Sequence, residues 1–270
     1  MDLGKSFTYM FDDDRWGIKL IILALIILVG LLGAVIIIGP LIMAAFVLGY
    51  MVEIIRRVRV GDPTPLPDWD DIGKKFMDGL VLMIAVFIWA LPLIALSIPT
   101  GIASSAGDGE GASVVLALCF GCLTLIYSAF LTVATPAIYV SYAEEGTFSS
   151  ALNFSRVSKI TRDHLAEIIV MLIVLIIASF IASLVGVLLC GVGLALTLAY
   201  MYMVEGHMFG QLAAAASPTP LAGGLEPVAP VGWGEGPGSG GPEEEVDPEQ
   251  IVDEVRRRSQ EALDDLDDLS

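Results

Sequence analysis

Positive charge is what this chain has least of. Fourteen Lys and Arg stand against thirty-one Asp and Glu in 270 residues, a net charge of −17. The lysines are five: Lys5, Lys19, Lys74, Lys75 and Lys159. No basic face exists to neutralise a run of phosphates, so nucleic-acid binding is excluded. With His164 and His207 the only histidines, a His-rich metal site is excluded too. The chain has no GxSxG, no HExxH, no P-loop and no dinucleotide glycine fingerprint. No catalytic, cofactor-binding or metal-ligating set follows from it, and the expectation is a protein that is not an enzyme. A secretory signal is not expected, because the first apolar stretch is too long for a signal core and lacks a small-residue cleavage site.

Apolar sequence is what it has most of. The chain is 56% hydrophobic with a mean hydropathy of +0.78, more than a soluble domain of this length can hide. The expected fold is all-α: a polytopic membrane protein of six transmembrane helices in three hairpins. Low Lys with abundant Asp and Glu fits a cytoplasm rich in salt. The acidic stretch Glu226–Ser270 accounts for much of the same imbalance.

Residues 2–12 place Leu3, Phe7, Met10 and Phe11 on one helical face, which suits an interfacial helix, and Trp16 marks interfacial depth. Leu20–Val52 carries no charge. It is long for one span of about 20 residues and short for two. We read spans at 18–38 and 41–58, joined by a turn at Gly39-Pro40; one long tilted helix is the alternative. The hairpin puts Lys5, Arg15, Lys19, Arg56, Arg57, Arg59, Lys74 and Lys75 on one side, as the positive-inside tendency favours.

The polar stretch Gly61–Gly79 reads as a second interfacial helix over 68–79. Asp68 and Asp71 would cap it, Trp69, Ile72 and Phe76 would form an apolar stripe, and Lys74, Lys75 and Asp78 would lie opposite. Its stripe either inserts in lipid or packs on the spans. Further spans are expected at 80–98, 113–142, 164–190 and 194–213, with a third interfacial helix at 147–161. The three interfacial segments read as a repeat, Leu3–Phe7 matching Ile72–Phe76 best. Every basic residue then falls on the cytoplasmic side of a cell membrane, with both termini inside. Residues 217–242 form a Pro/Gly-rich linker, and 243–270 an acidic amphipathic helix. Residues 247–269 either dock on a cytoplasmic partner, self-associate or stay solvated.

Two constellations stand out within the spans. Cys119-Phe120-Gly121-Cys122 is a CxxC, read as a thiol pair or, better, as buried inert cysteines. Glu205 and His207 are ionisable groups in the sixth span, where such groups are costly and often functional. Glu205 can be imagined meeting Glu167 or His164 of the fifth span in a proton or cation relay. Gly206 and Gly210 would let that span approach closely. The bland reading is that Glu205 and His207 snorkel or hydrogen-bond near the inner interface.

The pattern FxYxFxDDxW at Phe7–Trp16, Gly49-Tyr50, the basic exit Arg56–Arg59 and the Gly-Asp-Pro…Leu-Pro-Asp-Trp of Gly61–Trp69 together resemble one family. It is an uncharacterised archaeal, haloarchaeal-type family of multi-pass membrane proteins, known as a domain of unknown function. The resemblance covers about Met1–Ala216. It implies location, topology and a source in salt, and no catalytic residue. Two functions fit: a membrane-organising scaffold whose acidic tail binds a partner, or a small-solute or ion transporter using Glu205, His207 and Glu167.

Overall fold

The computed structural model describes residues 1–33, 38–105, 111–188 and 192–217. The linker and acidic-helix readings at 217–270 and Cys190 therefore lie outside the described residues, Ser217 excepted. The described chain is helical. Asp2 opens α1 (Leu3–Thr8) by accepting from the Lys5 amide, and a 3-10 turn (Tyr9–Asp12) follows. Then come α2 (Trp16–Leu32), α3 (Ile38–Arg59), α4 (Ile72–Ser105) and α5 (Gly111–Glu145). Thr147 caps α6 (Phe148–Ala151), and Asn153 caps α7 (Phe154–Asp163). Last are α8 (Leu165–Leu188) and α9 (Val192–Ala216).

Glycine closes two of these helices. Gly61 at φ +73° ends α3, its amide and that of Asp62 turning back to the Val58 and Arg57 carbonyls. Gly146 at φ +67° ends α5 with a bond to the Tyr142 carbonyl.

Several expectations change. α2 and α3 are separate helices, as a turn demands, but the break falls before Gly39-Pro40. Pro40 sits in the first turn of α3, where its missing N–H leaves no intrahelical bond unmade. The separate interfacial helix at 68–79 does not form. α4 is continuous from Ile72, so 72–79 is its first two turns. Asp68 does not cap it. Asp71, in the left-handed region at φ 42°, accepts the first α4 amides instead. The segment at 147–161 is two short helices, not one, so the three repeat segments take three different structures. Pro92, Pro99 and Pro136 all sit inside unbroken helices.

Among the described residues four helices are long and apolar enough to cross a membrane: α3, α4, α5 and α8. A fifth candidate is α1 and its turn with α2, bent by 104°. The expected sixth, α9, falls short of that apolarity because Glu205 and His207 interrupt it.

α3 and α9 sit at the centre. α3 packs on α2, α4, α5 and α9, and α9 also touches α8. Tyr50, Ile54 and Ile55 of α3 and Met203, Val204 and Met208 of α9 are buried. Close approach needs glycine at the α3–α4 crossing. A Cβ on Gly49 would land on the Lys75 carbonyl, and one on Gly79 on the Ala45 carbonyl. Gly206 and Gly210 do make a close face, but α3 occupies it, through Ile54, Ile55 and Val58, rather than α8. α8 approaches α9 through Gly186, which sits against Thr197 and Leu194.

Away from this centre, apolar side chains point outward. None of the residues in the most apolar stretch of α5 is buried. Leu25, Val29, Phe87, Leu125, Ile126, Ile176 and Phe180 are all more than half exposed. A surface of that kind is far larger than a water-soluble monomer carries. Cys119 and Cys122 lie on it as free, exposed thiols, not buried as expected.

Candidate functional site: the charged layer at the helix ends

The charged residues of the domain collect where α3 and α5 end and α2, α4 and α7 begin. Three sets of contacts make up the layer. The first is built by the N-terminal motif and the Leu66–Trp69 loop. Lys19 is 5% exposed, and its Nζ donates to Asp13 Oδ2 at 2.6 Å and to the Leu66 carbonyl at 2.8 Å. Asp68 Oδ1 lies 3.1 Å from the same nitrogen, and Arg15 grips both Asp68 oxygens. Tyr50 donates to the Pro67 carbonyl, and Trp69 stacks on Tyr50 at 4.7 Å while its indole N–H reaches the Lys19 carbonyl. A buried ammonium needs this many acceptors, because an unpaired one would cost several kcal/mol.

The carboxylates respond. The Lys19 hydrogen bond, with the Lys19 and Arg15 charges, holds Asp68 below the usual carboxylate range despite some desolvation. Burial pushes Asp13 up. The Lys19 hydrogen bond, the Arg15 amide and the Lys19 charge outweigh it, and Asp13 also titrates below its ordinary range.

The second set ties α3 to α4. Lys75, expected on the solvent face, is buried. Its Nζ binds Glu53 at 2.8 Å and the Asp70 carbonyl at 2.7 Å. Glu53 shares its other oxygen with Arg57 at 3.0 Å.

The third set ties α3, α4, α5 and α7. Arg56 donates from Nε to the Ala143 carbonyl at 3.0 Å and from Nη1 to Asp78, and it lies over the Tyr142 ring. Tyr142 closes the triangle by donating to the other Asp78 oxygen at 3.0 Å. Glu144, its side chain 2% exposed, binds Arg156 through Oε2. Its Oε1 faces Arg59 Nε at 3.6 Å, and neither of those two atoms has a hydrogen-bond partner.

The residues singled out from the sequence are scattered. His207 Nδ1 meets the Ser6 hydroxyl at 3.0 Å and Gln211 at 3.2 Å, and its ring stacks on Tyr9. With Tyr9 donating to the Met203 carbonyl and Tyr200 to the Phe7 carbonyl, this set docks α1 on α9. Glu167 pairs with His164, its neighbour at i−3, at 2.6 Å. Among the described residues no hydrogen bond or ion pair joins Glu205 to His207, Glu167 or His164. Of the interfacial anchors, Trp69 and Phe76 pack on protein, the latter against Phe46 at 5.1 Å. Ile72 is 53% exposed, and Trp16 is half-buried with its ring edge-on to Phe11.

What sequence reasoning missed is the ion-pair layer itself. The signal was present. Lys19 stands inside an apolar helix and Lys75 beside Gly49's partner turn. A charge at such a position needs a buried partner. The two segments of the family-like pattern, Phe7–Trp16 and Gly61–Trp69, meet through Asp13, Lys19 and Asp68.

Fold and site together define an all-helical protein whose apolar helices suit membrane embedding and whose charged groups join helix to helix. The chain belongs to the DUF4013 family, a protein of unknown function, whose model matches residues 31–191. That match takes in Gly49-Tyr50, Arg56–Arg59 and Gly61–Trp69 and leaves Phe7–Trp16 and α9 outside it. No curated protein and no solved structure matches the chain.

Proposed function

We propose that this is a non-enzymatic, membrane-organising scaffold of the cell membrane, with its charged layer and both termini on the cytoplasmic side. One observation carries the reading: the charged groups where α3 and α5 end and α2 and α4 begin are spent on one another. Arg56, Asp78, Tyr142, Lys19, Asp13, Asp68, Lys75 and Glu53 all hold helix ends together. A transport path needs polar groups left over to line it. Two mainly apolar cavities among the described helices, about 380 and 470 Å³, offer little such lining. One is walled by Ile22, Leu25, Val29, Met43 and Phe46, the other by Ala117, Leu118 and Leu125, with only the hydroxyls of Ser97, Thr100 and Thr124 and the Cys122 thiol as polar groups.

The six-span topology belongs to this reading. α1 with α2 serves as one bent span, and α9 is held at the centre by its neighbours rather than by its own apolarity. Nothing in the described contacts favours the transport alternative: no hydrogen bond or ion pair joins Glu205 to His207 or Glu167, and α4 and α5 run unbroken through Pro92 and Pro136.

In this scaffold the acidic segment 243–270 recruits a cytoplasmic protein or a second copy. Crosslinking in intact cells, comparing the full chain with one ending at 242, tests it. Crosslinked species lost on truncation are expected. An identical pattern for both chains overturns the scaffold reading. Uptake of solute or ions by vesicles carrying the protein, lost in Glu205→Gln, would install the transport reading in its place.

A further inference from the structure

One charged place is not consumed by the ion-pair layer. It lies where α7 meets the end of α9. A cavity of about 290 Å³ there is lined by Arg156, Lys159, Ile160, Asp163, His164, Ala216 and Ser217. α7 is strongly amphipathic: Val157 and Ile160 are buried, while Ser155, Lys159, Arg162 and Asp163 face outward. Lys159 and Arg162 have no ion-pair or hydrogen-bond partner for their side chains among the described residues, unlike the basic residues of the layer. Arg156 has the opposite status. Glu144 and Glu145 clamp it, so it stands at the cavity already ordered. His164 gives Nδ1 to Glu167 and keeps its other ring nitrogen unengaged.

The surroundings are apolar. Phe154, at the start of α7, is 59% exposed and stacks on Trp89 at 5.9 Å. Leu165, at its end, is 43% exposed and begins the outward apolar face of α8, continued by Ile169 and Val170. The cavity thus opens beside an apolar surface, at the level of the charged layer. That is where a lipid keeps its phosphate, with its chains alongside.

We propose that this cavity binds the phosphodiester of a membrane lipid headgroup. Lys159, in the lining, is the principal cation; Arg162, three residues on and outside the lining, adds exposed positive charge beside it; and the second ring nitrogen of His164 and the Ser217 hydroxyl offer hydrogen bonds. The acyl chains lie along α8. Asp163 on the rim repels a second negative charge, so the site takes a single phosphodiester and not a polyphosphate. The inference rests on the membrane-embedded part of the proposed function and is independent of the scaffold role.

Native mass spectrometry of the full chain released from detergent tests it, with phosphatidylglycerol added as probe. The wild type is expected to retain the lipid, and Lys159→Gln with Arg162→Gln to retain about three- to tenfold less, the range for losing exposed charge-assisted contacts. Lys159→Arg keeps the charge and should retain binding. Lys74→Gln, an exposed lysine elsewhere on the same face, should leave retention unchanged. Equal loss from Lys74→Gln would mean diffuse attraction and overturn the site. Displacement of the lipid by millimolar inorganic phosphate would assign the cavity to free phosphate and overturn the lipid source. Failure of the wild type to enter lipid nanodiscs at all would instead remove the membrane reading beneath it.

Discussion

At the scale of single residues, Arg56 shows how this protein uses charge. Its guanidinium joins the Asp78 carboxylate of α4 and the Ala143 carbonyl of α5, and Tyr142 returns to the same carboxylate. Both ionic side chains are only about one-fifth to one-quarter exposed (26% and 19%). Asp78→Ala leaves the arginine half-buried beside an emptied site and should cost about 2 kcal/mol. Tyr142→Phe removes one hydrogen bond to a charged group and should cost about 1 kcal/mol. Denaturant or thermal unfolding in detergent gives both values, and the first must exceed the second. Asp13 and Asp68 add a dependence on pH. Their folded pKa values lie below the ordinary range, so the unfolded chain binds protons first as pH falls. Their stabilisation is complete above about pH 5, where unfolded carboxylates are ionised, and drains away as pH drops through their lowered values. Melting curves between pH 7 and pH 3 should show this loss, and Asp68→Asn should flatten that acid limb.

Helices meet here by two means, and glycine distinguishes them. At the α3–α4 crossing Gly49 and Gly79 each face a main-chain carbonyl, which cannot move aside. Gly49→Ala or Gly79→Ala should cost more than the ~1–3 kcal/mol typical of overpacking and should abolish a monodisperse peak in size exclusion. Gly101 and Gly121 have open space where a Cβ would stand, so alanine there should be silent in the same assay. Gly210, tight against Val58, falls between, and Gly206, in ordinary contact with Ile54, should tolerate alanine best of that pair.

Much at this scale was legible from sequence. Apolar run length found the long helices, while the turn expected at Gly39-Pro40 falls earlier, because both residues belong to the first turn of α3. The interfacial helix at 68–79 failed for a specific reason. Trp69, Ile72 and Phe76 make a convincing stripe only if Trp69 is helical, and Tyr50 and Lys19 hold it outside the helix instead. A stripe read from one segment cannot reveal a partner on another. The same limit hid the ion pairs, since Lys19 with Asp68 and Arg56 with Asp78 are far apart in sequence. Glu205 and His207 were conspicuous for the opposite reason: rarity in an apolar run is visible locally, while convergence is not.

At the scale of the helical unit, residues 1–217, charged side chains gather at one set of helix ends and apolar side chains cover the outer helix faces. The thiols report on those apolar faces. Cys119 and Cys122 are exposed on the apolar surface of α5. In a Cys190→Ser background, a membrane-permeant maleimide should label them in intact vesicles, a charged impermeant one should not, and Cys119→Ser with Cys122→Ser should remove that label. Labelling by the impermeant reagent would place this stretch in water. The long helices are unequal. At 34 and 35 residues, α4 and α5 reach about 51 and 52 Å, while α3 and α8, at 22 and 24 residues, reach about 33 and 36 Å. A hydrocarbon core is about 30 Å thick. α3 and α8 therefore match such a core, and α4 and α5 exceed it. Lipid beside α4 and α5 must thicken or those helices must tilt, at a fraction of a kcal/mol per ångström. Two copies that set their long sides together share one such deformation instead of making two. In a bilayer, the unequal helix lengths would thus supply an elastic attraction between molecules, acting before any side chain touches.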